Sequence, residues 1–444
     1  MPGLSVFGKI NVSWLHGSKI AFALLAITIA VALFVRCYGL ETIPNQLSKP
    51  EKMLSQSIND VVTFGWIGLW SKDLAGQPTG IVYFMSAWVR AVDDDGAGTR
   101  FIFVAVGLMT IGMVFVFCRR FLGLRIAVLS AFLLAFSAWH IQFSRMALTA
   151  AFLPILGLSI SHLLVSGLED AKSSNGLRTI FWGGVLAGIG FYIHNAYWLF
   201  VVAMGVLWAS EFLSGESSIE VVSRKALTFW LPVLIVALPY LYFLLLNGTD
   251  VLEYLREVSV TGEVEFQNRN GLPEQSRYVI AEWIRSITLL IDRFDIVSAT
   301  LAVIGFMVGI TRLKGRSYRL LWVLVPTTTL AAALTVDAGV HSRMIPVLPT
   351  VIIMAGVGLD WMLTWTKGRL TLVTQHALVA LVILFIAWAN LTSFHNDPVF
   401  QDEGLVLRNV KVGSQYSTSV LDRVLTEAGL AFMRGEKAIF ARGV

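Results

Sequence analysis

The chain has 444 residues, of which 56% are hydrophobic and 14% are charged, and its mean hydropathy is +0.71. A soluble domain carries about 25% charged residues. Because the shortage of charge extends along the whole chain, the composition excludes a soluble enzyme with one anchor and predicts an all-α polytopic membrane protein. The net charge of +5 does not indicate a nucleic-acid partner, since basic residues in a membrane protein record its topology.

The first hydrophobic segment, residues 20–35, lies between Lys19 and Arg36, and no small-residue cleavage site follows it. This pattern predicts a signal anchor that is retained rather than a signal peptide that is removed. A later apolar run, residues 81–92, ends in three aspartates and is too short to span a bilayer. We expect it to form a helix that lies along the membrane interface.

Hydrophobic segments of suitable composition predict eleven membrane-spanning helices. They are residues 20–35, 101–118, 126–139, 148–165, 180–193, 196–210, 226–246, 296–310, 320–336, 344–362 and 370–389. With the N-terminus in the cytoplasm, fifteen basic residues fall on the cytoplasmic side, whereas the three short outward connections carry only Arg145 and Arg343. This bias supports eleven crossings, a cytoplasmic N-terminus and an extracytoplasmic C-terminus.

The predicted topology divides the chain into a membrane part and a tail. Residues 1–389 form one transmembrane domain with two large outward loops, residues 37–100 and 247–295. Residues 390–444 form a short extracytoplasmic tail with one amphipathic candidate helix at residues 420–432. Neither the loops nor the tail are large enough to fold independently around a core of their own.

Polar side chains gather at the predicted outer face. They are Glu51, Asp60, Arg100, Arg145, His194, Asn195, Asp337, His341 and Arg343. Acids, histidines and arginines that share one face indicate a site reached from outside the cell. No run of charged residues crosses the middle of the membrane, which argues against an ion-coupled transporter. No His/Cys cluster has the spacing of metal ligands, so no metal site is predicted, and the sequence leaves the requirement for a divalent metal open.

Several short motifs follow one another in a characteristic order. They are residues 47–51 (LSKPE), Arg100, residues 138–145 (AWHIQFSR), residues 188–192 (GIGFY) and residues 341–344 (HSRM). In this order they resemble motifs of the GT-C type membrane glycosyltransferases, specifically the protein O-mannosyltransferase and aminoarabinose-transferase group. The resemblance extends over residues 31–361, which is most of the predicted membrane domain, and it implies a GT-C-like helical bundle.

The resemblance also implies a reaction: a sugar passes from a polyprenyl-phosphate carrier to an acceptor at the outer face of a bacterial plasma membrane. A carboxylate takes the acceptor proton; the acid that remains in the matching motif is Glu51, with Asp60 as a weaker second candidate. Arginine and histidine offset the charge of the departing lipid phosphate. The substrate-binding candidates are Arg100, Arg145, His194, Asn195, His341 and Arg343. The implied partners are the lipid-linked sugar donor and membrane lipid.

Three positions depart from the family pattern. Pro50 occupies the place of the usual catalytic aspartate, and Thr149 and Trp198 occupy places where many relatives carry a basic residue. An alternative hypothesis is therefore a catalytically degenerate relative that serves as a scaffold or assembly subunit of a membrane complex. A lipid-linked saccharide flippase is a third hypothesis, and it would need a polar path through the bundle.

The candidate residues also fit structural roles. Residues 48–51 match a capping box at the start of a helix. Arg145 could extend to the interface from a helix end, and Arg100 could neutralise the acidic run that precedes it. His341 and Arg343 could contact lipid headgroups. At the level of the sequence, the structural and functional roles both stay open.

Overall fold

The computed structural model describes residues 18–40, 48–92, 97–170, 174–214, 218–259, 267, 271–334 and 344–396. Its main helices are α1 (Ser18–Cys37), α2 (Lys49–Phe64), α3 (Gly80–Val92), α4 (Ala97–Phe121), α5 (Leu124–Phe136), α6 (Ala138–Phe143), α7 (Leu153–Glu169), α8 (Ser174–Ile189), α9 (Tyr197–Ser214), α10 (Ile219–Leu246), α11 (Gly248–Val258), α12 (Leu272–Asp292), α13 (Ile296–Ile310), α14 (Arg316–Ala333), α15 (Leu348–Thr366) and α16 (Leu372–Asn396). Short 3-10 turns occupy Thr149–Phe152, Gly190–Tyr192 and Ile345–Val347. Strands β1 (Trp70–Ser71) and β2 (Gln77–Pro78) form an antiparallel hairpin.

Each of the eleven predicted spans overlaps a described helix. Among the described residues, seven helices are long and apolar enough to cross a membrane, and α5 and α13 are shorter apolar helices. The prediction of an all-α polytopic membrane protein is therefore confirmed, whereas the count of eleven crossings stays a prediction. The candidate tail helix at residues 420–432 lies outside the described residues.

Two boundaries differ from the sequence prediction. The third predicted span reaches Trp139, but α5 ends at Phe136 because Ser137 has an extended backbone (φ −62°, ψ 120°) and caps α6 instead. The last predicted span ends at residue 389, whereas α16 continues to Asn396. Helix α16 therefore extends beyond the predicted boundary between the membrane domain and the tail.

Helix α15 lies at the centre of the bundle and packs against α5 and α13. Every residue from Leu348 to Leu359 is buried. A side chain at Gly358 would overlap the carbonyl oxygen of Leu301 in α13, and one at Gly305 would overlap that of Met354 in α15. These two glycines therefore bring the helix backbones into contact, as small residues do between membrane helices.

Substituting Gly358 with alanine is expected to destabilise the protein by about 1–3 kcal/mol, because the added methyl group forces α13 and α15 apart. Gly205 of α9 provides the matched control, since a Cβ at that position would meet nothing within 4 Å. Alanine there should be neutral or stabilising, because alanine favours helix more than glycine does. Thermal unfolding of the two variants in detergent would test this difference, and equal transitions would contradict it.

The two loops that are predicted to face outward contact each other through the hairpin. Trp70 of β1 lies edge-on to Tyr254 of α11, with ring centroids 5.8 Å apart. Beside this contact, Lys72 Nζ lies 3.4 Å from a carboxylate oxygen of Glu253. Helix α3 covers the predicted interfacial segment and packs on α2. The described part of the first loop that is predicted to face outward therefore contains α2, the hairpin and α3.

Candidate functional site around the first outward loop

Glu51 lies in the first turn of α2, and its side chain is 0% exposed. Its Oε2 accepts hydrogen bonds from the backbone N–H and the hydroxyl of Ser48, both at 2.9 Å. Its Oε1 accepts from Arg100 Nε at 3.1 Å and from the backbone N–H of Ala147 at 2.9 Å. The capping box predicted for residues 48–51 is confirmed. Because a carboxylate offers about four acceptor positions, all those of Glu51 are occupied by protein donors.

Arg100 lies in the first part of α4 and is buried with Glu51. Besides its bond to Glu51, Nη1 donates to the carbonyl oxygen of Leu40 at 3.0 Å. Arg100 thereby joins the residues after α1, the start of α2 and the start of α4. The acidic run that Arg100 could neutralise, residues 93–95, lies outside the described residues.

Arg145 follows α6 and is 1% exposed. Its guanidinium donates to four carbonyl oxygens, those of Val35 (3.0 Å), Arg36 (2.9 Å), Tyr38 (2.7 Å) and Gly39 (2.8 Å). The first two carbonyls belong to the last turn of α1 and the other two to the residues just after it, where helix geometry leaves acceptors without partners and favours a positive charge. Burial, and then the charge of Arg100, lowers the pKa of Arg145 to about 10. The side chain therefore stays protonated at neutral pH and caps α1.

Arg36, near the end of α1, is 0% exposed. Its Nη1 donates to the carbonyl oxygens of Ala135 at 3.0 Å and Ala32 at 3.2 Å. Its Nη2 lies 2.9 Å from Nδ1 of His140. Since a guanidinium can only donate, this nitrogen of His140 accepts and the ring carries its proton on Nε2. Neither Arg36 nor His140 is predicted to lie in the site from sequence; the available signal is a basic residue at the end of an otherwise apolar span.

We call these five buried residues the arginine cluster: Arg36, Glu51, Arg100, His140 and Arg145. The cluster contains three guanidinium groups, one carboxylate and a neutral imidazole, and so has a net charge of +2. In the part of the chain that is described, Nε of Arg36 has no hydrogen-bond partner. Most other donors of the cluster point at protein oxygens. The cluster can therefore attract an anion to this end of the bundle through its potential rather than through direct contact.

The charge state of His140 predicts a pH dependence of stability. Burial, and then the charge of Arg36, lowers the pKa of His140 well below its ordinary value. Unfolding exposes the ring and returns its pKa to about 6.5, so the unfolded chain binds more protons than the folded one below that pH. The stability that His140 contributes is therefore complete above about pH 6.5. It falls at lower pH by up to about 1.4 kcal/mol per pH unit.

Chemical unfolding at about pH 7.5 and about pH 5.5 would measure this effect. His140→Asn keeps an acceptor for Arg36 but cannot titrate, so it should lose less stability on acidification than the parent protein. His395→Asn is the matched control, because His395 is exposed. If both variants lost as much stability as the parent protein, His140 would not be the titrating group.

Asp60 lies on a different side of α2 from Glu51. Nine residues of helix place the two side chains about 180° apart around the axis and about 13.5 Å apart along it. Asp60 is half-buried, and within the described residues its carboxylate has no hydrogen bond or ion pair. Of the two predicted carboxylates, Asp60 is therefore the one whose acceptor positions are free of described partners, and the structure does not bring it beside Glu51.

His194 and Asn195 lie at the start of α9 and connect it to the hairpin. The backbone N–H of Asn195 donates to Oε1 of Gln77 at 2.9 Å, and its side-chain amide donates to the carbonyl oxygen of Gly76. Nδ1 of His194 accepts from the backbone N–H of Ala196 at 3.0 Å. Both residues thus hold the hairpin and the beginning of α9 in place.

The remaining candidates lie elsewhere in the chain. His341 and Arg343 lie outside the described residues. Thr149 is buried in the 3-10 turn before α7. Trp198 packs edge-on against Phe191, with ring centroids 4.7 Å apart. The two positions at which many relatives carry a basic residue are therefore occupied by neutral packing residues.

An apolar groove of about 380 Å³ lies between the C-terminal ends of α1 and α16. Its walls include Phe34, Val35, Tyr38, Trp388, Leu391 and Phe394, and its polar residues are Thr392 and His395. The guanidinium of Arg145 lies 5.4 Å from the ring centroid of Phe394, so the arginine cluster borders the groove. Apolar walls beside a positive potential suit a lipid that carries a phosphate. Among the described residues, no group of three or more His, Cys, Asp or Glu could hold a metal ion.

No protein-family model and no curated protein matches the chain. Solved structures do match it. ArnT from Cupriavidus metallidurans bound to undecaprenyl phosphate has a TM-score of 0.60 and 14% identity over 94% of this chain and 78% of its own. The archaeal oligosaccharyltransferase AglB from Archaeoglobus fulgidus, in complex with an inhibitory peptide and a dolichol-phosphate, has a TM-score of 0.59 and 13% identity over 93% of this chain.

These likenesses define the class of fold. The chain has the fold of the GT-C type membrane glycosyltransferases, as the motif order predicts. It spans 64% of the archaeal oligosaccharyltransferase, which is less than two thirds of that protein. At 13% and 14% identity the likeness establishes the architecture, and activity has to be argued from the site.

Proposed function

We propose that the protein is a glycosyltransferase that moves a sugar from a polyprenyl-phosphate carrier to an acceptor on the outer face of a bacterial plasma membrane. The observation that carries this proposal is the apolar groove between α1 and α16, which borders the arginine cluster. The fold supports it, because two similar structures contain undecaprenyl phosphate and a dolichol-phosphate. A cytoplasmic N-terminus and an extracytoplasmic C-terminus belong to the same proposal.

In the proposed reaction, the acceptor hydroxyl or amine attacks the anomeric carbon of the sugar, and the bond from that carbon to the carrier phosphate breaks. The acceptor proton passes to Asp60, the predicted carboxylate with free acceptor positions. The electron pair of the broken bond stays on the carrier phosphate, whose charge His341, Arg343 and the potential of the arginine cluster offset. His194 and Asn195 position the hairpin and the start of α9, since their described hydrogen bonds are made to other groups of the protein.

Glu51 has a positioning role in this proposal rather than a proton-accepting one. Its four hydrogen bonds fix the start of α2 to α4 and to the segment after α6. Arg100 and Arg145 act in the same way, because their described bonds also go to protein oxygens. All three residues would contribute to donor binding by holding the first loop rigidly in place and through the electrostatic potential of the arginine cluster.

The experiment combines binding and turnover with the purified full-length chain. Undecaprenyl phosphate should bind more tightly than undecaprenol, which has the same tail without the phosphate. Undecaprenyl phosphate loaded with a radiolabelled sugar should release free carrier in the presence of an extracytoplasmic acceptor extract. Equal affinity for the two lipids, together with no release of carrier, would overturn the proposal.

One observation favours a second candidate from another class. Pro50 stands where the usual acid lies in the family, and the neighbouring acid, Glu51, has no free acceptor position. We propose as the alternative a non-catalytic relative that binds the carrier lipid within a membrane complex. Phosphate-dependent lipid binding without turnover, together with a stoichiometric partner that co-purifies, would support this candidate over the enzyme.

A further inference from the structure

A second group of buried charges lies at the other end of the bundle. Helix α9 begins beside the hairpin and extends about 27 Å to Ser214. Glu211 therefore lies far from the outward loops, in the last turn of α9. Lys225 in the second turn of α10, and Arg316 and Arg319 in the first turn of α14, lie beside it. We call these four residues the Glu211 cluster.

Two arginines hold the single carboxylate of this cluster. Nε of Arg316 lies 3.0 Å and 2.9 Å from the two carboxylate oxygens of Glu211, and Nη2 of Arg319 donates to Oε1 at 2.6 Å. The side chain of Glu211 is 5% exposed. The carboxylate is therefore already paired with both arginines.

Among the described residues, Lys225 has no corresponding partner. The residue has a relative exposure of 5%, yet within the described part of the chain it makes no hydrogen bond or ion pair. It lies close enough to Arg316 and Glu211 for both charges to act on it. Nε of Arg319 is also sealed from solvent without a described partner.

The Glu211 cluster contains three cationic side chains, and among the described residues its one carboxylate is that of Glu211. Buried charge that lacks a partner is costly, because the side chain loses its hydration and gains no counter-charge. An anion bound beside Lys225 would supply that counter-charge. The donor available is the ammonium group of Lys225, and ammonium groups bind phosphate oxygens.

The exposed apolar side chains beside the Glu211 cluster favour a phosphate that belongs to a lipid headgroup. The cluster lies where α9 and α10, both apolar enough to cross a membrane, end and begin. Large apolar side chains next to it are open to the outside: Leu213 is 86% exposed, Ile219 75% and Leu227 64%. Acyl chains can pack on these residues while a headgroup lies at the level of the cluster, as basic pockets between membrane helices do for anionic lipids.

We propose that the Glu211 cluster binds the phosphate of an anionic phospholipid through Lys225, between the ends of α9, α10 and α14. This site is separate from the groove between α1 and α16 and does not depend on the proposed glycosyltransferase activity. The bound lipid neutralises the excess positive charge and fastens three helix ends together.

The test uses the full-length chain in nanodiscs that contain either phosphatidylcholine alone or added phosphatidylglycerol. Phosphatidylglycerol should raise the Tm of the parent protein, and Lys225→Met should weaken the apparent affinity for it about fivefold. Lys225→Met keeps the buried stem and breaks no described bond, so the variant should fold. Lys225→Arg should restore the response to phosphatidylglycerol.

Lys367→Met is the matched control, because it removes the same charge from an exposed position between α15 and α16. It should respond to phosphatidylglycerol as the parent protein does. A response of Lys225→Met equal to that of Lys367→Met would overturn the proposal. Equal stabilisation by inorganic phosphate in phosphatidylcholine nanodiscs would overturn the assignment of a lipid as the ligand.

Discussion

Replacing Asp60 with asparagine is expected to slow sugar transfer by about 100- to 10,000-fold, which is the range that general-base catalysis contributes. Asparagine fills nearly the same volume but cannot accept the acceptor proton. Within the described residues no bond is lost, because Asp60 has no partner there. The measurement is single-turnover release of polyprenyl phosphate from a loaded donor, at equal amounts of folded protein.

The matched control for this variant is Glu253→Gln. Glu253 is an acid of the second outward loop whose side chain is 63% exposed and pairs with Lys72, and its loss should leave transfer unchanged. Binding of undecaprenyl phosphate should be the same in Asp60→Asn and the parent protein, since only the proton acceptor is removed. Parental transfer rates in Asp60→Asn would exclude Asp60 as the base.

Substitution of Glu51 with alanine is expected to destabilise the protein by about 3–5 kcal/mol, because it leaves Arg100 as a buried, unpaired charge. The N–H groups of Ser48 and Ala147 also lose their acceptor. Urea or thermal unfolding in detergent would measure the change. The double variant Glu51→Leu with Arg100→Met should recover part of the loss, since a buried ion pair can often be replaced by packed apolar side chains.

A second variant of Glu51 distinguishes a positioning role of this residue from a catalytic one. Glu51→Gln keeps an acceptor oxygen and the side-chain shape, so a fraction of the molecules should fold. Per folded molecule, transfer should fall much less than in Asp60→Asn. A Glu51→Gln variant with parental stability and lipid binding but no transfer would contradict the positioning role and restore Glu51 as the base.

The membrane architecture could be predicted because hydropathy depends on local composition. Apolar segments of the right length identify helices such as α4 and α10 without any tertiary information. Their ends were harder to place, because Ser137 can continue one helix or cap the next, and packing decides between these states. The 3-10 turn at Thr149–Phe152 was missed for the same reason.

The candidate site could be predicted only in part, because most of its contacts join residues that are far apart in the sequence. The capping box lies within four consecutive residues, and its geometry follows from spacing alone. The other two partners of Glu51 are separated from it by 49 and 96 positions, and no local pattern encodes such contacts. The sequence is therefore compatible with either a capping or a catalytic role for Glu51. The burial of Glu51 against Arg100 and Ala147 depends on the tertiary fold.

The capping of α1 by Arg145 has a consequence for biogenesis. Helix α1 would enter the membrane early in synthesis, yet the guanidinium that satisfies its last carbonyls comes 109 residues later. At a synthesis rate of about 5–20 residues per second, this leaves about 5–20 s in which that end of the helix has to rely on water or headgroups. The nascent chain would thus be most open to quality-control proteases before α6 emerges, and slowing translation in that interval should lower the yield of mature protein.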